Sequence, residues 1–181
     1  MRQSRVAAEP PSMIDRLDRT LLAINRWTVI VILAAMASMV FANVVLRFAT
    51  DASILWVEEV SRYLMIWLTF LGGGLVLRYG GHVGIDTLQD SFPRQAKAIR
   101  GAIVLLLLGF FTFMVAIGIR YATLTWEQTT PILGVPVGAV YLSMPIGFSL
   151  FIAHLLLMAR GYVGERRFLA DGEFDADAAK M

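Results

Sequence analysis

Three charged side chains, Glu58, Glu59 and Arg62, stand close together inside a stretch that is otherwise apolar from about 54 to 77. Holding an ionised group at mid-membrane depth costs about 2.5–3.5 kcal/mol on insertion scales, and less toward the interface, so such groups normally face protein or water. At about 100° per residue, Glu58, Arg62, Thr69 and Gly73 share one helix face, while Trp56, Tyr63, Trp67 and Phe70 gather opposite. Glu58 and Arg62 are an i, i+4 pair with the acid first, the better order, and both glutamates stand near the positive end of the helix dipole. Arg47 lies eleven residues before Glu58, at the same level. Two chemistries suit such a cluster. The carboxylates could relay an ion or proton, or they could form a paired network that fixes the first two helices against each other or against a partner subunit. A relay leaves an acid open to a cation, whereas bases match acids in number here, so the structural network is the expected role.

Further along, Arg78-Tyr79-Gly80-Gly81-His82-Val83-Gly84-Ile85-Asp86 ends the second helix on a base, turns on glycines and sets His82 and Asp86 at one membrane face. Arg78, His82 and Asp86 join the expected charge network, and Ile85, Leu88 and Phe92 could dip a short helix into the surface. A lone loop histidine is more often an ordinary hydrogen-bonding group than a titrating switch. Gly72, Gly73 and Gly74 favour close helix packing, although glycine is also tolerated in lipid without any role. Pro145 leaves the carbonyl of Tyr141 without its usual donor, so a kink or a polar neighbour is expected there. Trp56, Trp67 and Trp126 are expected as aromatic anchors, the last at an interface beside Tyr121.

The elements that must carry these groups follow from composition. Of 181 residues, 57% are hydrophobic, and they gather in blocks instead of alternating with polar residues. A hydrocarbon layer about 30 Å thick needs about 20 apolar residues of helix, and four blocks of that kind are present, at about 27–46, 54–77, 101–121 and 137–158. The expected fold is therefore an all-α integral membrane protein with four transmembrane helices over 27–158. Residues 1–11 read as a flexible tail ending in Pro10 and Pro11. Ser12 then caps an amphipathic helix over 12–26, whose stripe of Ile14, Leu17, Leu21 and Ile24 suits the membrane surface. Val40-Phe41-Ala42 could pass for a signal cleavage site, but the apolar stretch exceeds the roughly 7–15 residues of a signal core. The third helix is expected to begin at Pro93. Residues 159–181 are acidic and Ala-rich after Arg167, so a disordered tail is expected.

Lysine and arginine resist crossing to the outside during insertion. Thirteen of the sixteen lie before the first span, between the second and third, or after the fourth; only Arg47 and Arg120 border the other side, and Arg62 lies within a span. Both termini are thus expected in the cytoplasm. Without cysteine there is no disulfide or thiol nucleophile, and without a Gly-x-x-x-x-Gly-Lys-Ser/Thr string no such route to ATP hydrolysis. An enzyme, a resident cofactor or metal, and a nucleic-acid partner are not expected; membrane lipid is.

From about Asp15 to Met158 the chain resembles the small membrane subunit of tripartite ATP-independent periplasmic (TRAP) transporters. The likeness rests on Asn43, Arg47 and Phe48, on Trp56, Glu58, Glu59, Arg62, Tyr63, Trp67 and Phe70-Leu71-Gly72, and on Arg78, His82-Val83 and Asp86. A second patch runs from Leu133-Gly134-Val135-Pro136 to Tyr141, Pro145 and Gly147. The resemblance implies a bacterial inner-membrane scaffold subunit beside a large multi-span subunit that carries solute and sodium sites and moves elevator-fashion. It also implies a periplasmic binding protein that delivers an organic acid, and uptake driven by an ion gradient. No broken helix pair or inverted repeat equips the chain to transport alone. Two other classes compete: a haem-binding electron-transfer subunit using His82 and His154, and a self-sufficient small exporter with Glu58 or Glu59 as coupling acid.

Overall fold

The computed structural model describes residues 13–78 and 95–165, and these are almost wholly helical. Helix α1 spans Met13–Thr50, α2 Leu55–Arg78 and α3 Ala96–Leu124; α4, Val137–Tyr141, and α5, Ser143–Glu165, together make the last span. Among the described residues, four helical segments are long and apolar enough to cross a membrane, the fourth running from Val137 to Ala159. The four expected spans are present: the first is much longer than expected, the second is shifted by one residue, and the third and fourth extend slightly beyond their expected ranges. The loop 79–94, with the expected surface helix of Ile85, Leu88 and Phe92 and the helix start at Pro93, lies outside the described residues.

The segment 13–26 is not a helix of its own. It runs unbroken into the first span as one 38-residue helix. No glycine or proline occurs between Met13 and Thr50, so nothing in the backbone chemistry ends the helix near Trp27, and i to i−4 bonding simply continues. At 1.5 Å per residue α1 is about 57 Å long, far more than a perpendicular crossing requires. It stops at Asp51, whose φ of 53° is the left-handed value that closes many helices, and the Asp51 N–H donates to the carbonyl of Arg47 at 3.1 Å.

The core lies where α2, α3 and α5 meet, around Leu77, Val104, Phe111 and Leu155. Phe111 and Phe151 have ring centroids 5.0 Å apart, Phe148 and Phe151 5.5 Å, and Phe70 meets Phe148 edge-on at 5.8 Å. Helix α1 stands outside this cluster and packs chiefly along α2. Its flank therefore stays open, with Ile30, Val31, Leu33, Phe41, Val45 and Phe48 all exposed.

The join between α4 and α5 falls at Leu142, next to Tyr141 and three residues before Pro145, where the proline ring removes one backbone donor. Helical bonding continues across the join: Leu142 keeps right-handed helical angles of −59° and −22°, with Leu142 N donating to Gly138 O at 3.0 Å and Ile146 N to Leu142 O at 3.2 Å.

Candidate functional site

Among the described residues, polar side chains of the spans form three fastenings, two between helices and one from helix to turn, and others border clefts between α1 and α2. The first fastening belongs to Glu59, which is buried at 5% exposure. One carboxylate oxygen accepts the Tyr63 hydroxyl at 2.6 Å, and the other accepts the backbone N–H groups of Ile132 and Leu133, each at 3.0 Å. Those amides belong to the turn after α3, which is closed by Thr130 N–H to Val135 O at 2.9 Å and by Gly134 at φ 66°. A glycine is needed at that backbone angle because a Cβ would strain it. Glu59 thus ties α2 to the 129–136 turn with donors alone; no base among the described residues pairs with it. Three hydrogen bonds from oriented dipoles can hold a buried carboxylate without a counter-cation.

The second fastening joins the opposite ends of α1 and α2. Arg78, only 3% exposed, donates from both terminal nitrogens to the two carboxylate oxygens of Asp18, with Nη1 to Oδ2 at 2.8 Å. Its partner is therefore on α1. The other two members expected around it, His82 and Asp86, lie outside the described residues.

The third fastening is central. His154 is fully enclosed, and its Nε2 lies 3.1 Å from Asn25 Nδ2, which also donates to the Leu71 carbonyl at 3.2 Å. The backbone of α2 allows this approach because Gly74 has no side chain: a Cβ there would stand 2.8 Å from His154 Cδ2. A Cβ on Gly73 would likewise strike the Phe151 ring, whereas one on Gly72 would meet nothing within 4 Å. Two of the three expected packing glycines therefore face α5 and one does not. With Nε2 engaged by Asn25 and the Gly74 backbone against its ring, His154 is placed as a packed core histidine, not as an open axial ligand for a haem.

The remaining expected residues line the seam between α1 and α2. Arg47, Glu58, Asn43 and Ser53 border a small cleft of about 130 Å³, and Arg62 borders a larger one of about 630 Å³. The two share Val40 and Val44 as walls. Asn43 also closes the turn between the helices, accepting the Ile54 N–H at 2.7 Å. Arg47, Glu58 and Arg62 are exposed, and no ion pair joins any of them to another described residue. The expected Glu58–Arg62 pair is thus not made among the described residues: both side chains are exposed along the seam.

The expected anchors divide as well. Trp56 and Trp126 are exposed at 44% and 47%, while Trp67 is half-buried. Asp18, Asn25 and His154 were not identified from sequence as structural partners. A weak signal existed for Asn25 alone, an amide within Leu-Leu-Ala-Ile-Asn, which a membrane-facing stripe does not need.

Comparison with known proteins places this arrangement in context. The family model described as tripartite ATP-independent periplasmic transporters, DctQ component, matches residues 36–163. The chain is similar to a TRAP transporter small permease protein of Haemophilus influenzae, 36% identical over 127 residues that cover 69% of this chain and 78% of the relative. It is similar to the ectoine TRAP transporter small permease protein of Halomonas elongata, 28% identical over 144 residues, 76% of this chain and 69% of that one. A third relative, the isethionate TRAP transporter permease protein of Oleidesulfovibrio alaskensis, is 28% identical over 115 residues, which are 62% of this chain but 18% of that much longer protein.

Proposed function

Because the chain belongs to the DctQ component family of tripartite ATP-independent periplasmic transporters, we propose that it serves such a transporter as a non-catalytic scaffold subunit, with the solute path elsewhere. One observation carries this reading: the buried charged groups of its spans are engaged in fastening helix to helix or helix to turn. Glu59 holds two loop amides and Arg78 holds Asp18, an arrangement suited to rigidity. A carboxylate committed to fixed donors is a poor relay for an ion, which needs an open acid.

The proposed partners are a large multi-span membrane subunit and a periplasmic solute-binding protein, with uptake driven by an ion gradient, sodium being the expected ion. The isethionate permease relative supports a large membrane partner, since the stretch similar to this chain is only 18% of that single protein. The named solutes of relatives include ectoine and isethionate. An organic acid is the class proposed for this transporter. The excess of arginine and lysine in three of the five segments outside the spans supports an inner-membrane orientation with both termini cytoplasmic.

Co-expression with a candidate large subunit, followed by affinity purification in detergent, is expected to recover both chains together. Solute movement by vesicles containing this chain alone would overturn the proposal.

A further inference from the structure

The seam between α1 and α2 holds charge and space that the fastenings do not use. Its larger cleft, about 630 Å³, is walled by Met36, Val40, Phe41 and Met65, and Ser61 and Arg62 border it through their carbon atoms. Its smaller neighbour brings Arg47 and Glu58 against the same Val40 and Val44 walls. Depth along the helices orders these groups. Arg62 sits about 10 Å along α2 from Leu55, and its side chain leans toward the helix N-terminus, the end that carries the 51–54 turn. The α1 wall runs the other way, from Val44 to Met36, covering about 12 Å below that level. Cationic groups therefore crowd the end nearest the turn, and hydrocarbon lines the depth beneath.

Two guanidiniums against one carboxylate leave a single positive charge in a mostly apolar seam, and no described residue pairs with it. One singly charged anion would balance it, and a phosphodiester forms paired hydrogen bonds with guanidinium. The apolar wall beneath calls for a hydrocarbon chain attached to that phosphate.

We propose that this seam binds an anionic phospholipid. The phosphate lies between Arg47 and Arg62, and one acyl chain runs along Met36, Val40, Phe41 and Met65. In the proposed orientation this is an outer-leaflet lipid. The inference goes beyond the transport role and stands on the spans and their seam alone, so it survives if the partner assignment fails.

The test is native mass spectrometry of the full-length chain in mild detergent, with phosphatidylglycerol or phosphatidylcholine added at equal concentration. Phosphatidylglycerol should be retained about tenfold better, the size of one charge-assisted contact. Arg62→Gln and Arg47→Gln should each lower its retention about tenfold, toward the phosphatidylcholine level. Ala37→Trp, which fills the groove and spares the charges, should lower retention of both lipids; it carries the test should an arginine variant misfold. Arg120→Gln, exposed on α3 away from the seam, should change nothing. Equal retention of the two lipids, or equal losses in Arg62→Gln and Arg120→Gln, would overturn the proposal. So would groove variants that leave lipid retention intact but reduce recovery of a co-expressed membrane subunit, since the seam would then hold a partner's helix.

Discussion

Glu59 divides its two oxygens between a phenol and a pair of peptide N–H groups, and that division predicts how substitutions behave. A glutamine side chain at this position keeps one oxygen for the two amides and can turn its NH2 toward the Tyr63 hydroxyl, so Glu59→Gln should shift stability by less than about 1 kcal/mol. Glu59→Leu leaves the Ile132 and Leu133 amides without an acceptor, at about 1–3 kcal/mol for each unsatisfied group, and should speed hydrogen exchange there. Thermal unfolding in detergent and exchange at residues 132–133 check both outcomes. Should Glu59→Gln stay folded and assembled yet abolish uptake, the carboxylate would be carrying a proton or ion. Asn25→Ala removes both the Leu71 carbonyl's donor and the polar neighbour of His154, and should cost roughly 1–3 kcal/mol in the same melt. At this scale sequence shows which groups ought not to face lipid but not what they meet. Glu59 finds its two amide partners 73 and 74 positions away, and Arg78 finds Asp18 60 positions away. Of the local i, i+4 pairs, Glu59 with Tyr63 is made and Glu58 with Arg62 is not.

Among the elements, α2 offers an internal control in its run of three glycines. Gly74→Leu drives a side chain into His154 and should separate α2 from α5, with a large loss of thermal stability and of folded yield. Gly72→Leu meets open space, and its cost should stay within the roughly 1 kcal/mol expected of a tolerated site. Comparing the two melts checks the packing directly. Hydropathy alone made the four spans visible, because lipid demands long apolar helices and little else satisfies their backbones. The end of the first helix was misjudged for an equally physical reason. An amphipathic stripe predicts which surface a helix prefers, whereas a helix ends only where its backbone chemistry ends it, and from 13 to 50 nothing does. The turn after α3, by contrast, carried its signs openly in Gly134 and Pro136.

For the whole molecule, the orientation is open to a direct check because the natural chain has no cysteine. Single cysteines at Ser53 and Gln128 should react in intact cells with a maleimide that cannot cross the inner membrane, once it is admitted to the periplasm. A cysteine at Arg16 should react only after lysis. The reverse pattern would invert the assignment of sides. Charge counts support the proposed sidedness, but nothing in them tells that α1 stands apart from the aromatic cluster and leans on α2. That arrangement has a mechanical consequence. Asn43 pins α1 at one end and Asp18 pins it at the other, about 37 Å apart along the same neighbour. A rod bolted to its support at two distant points resists both pistoning and swivelling, so under the proposed scaffold role any stroke of the assembled transporter would fall to some other part sliding past this one.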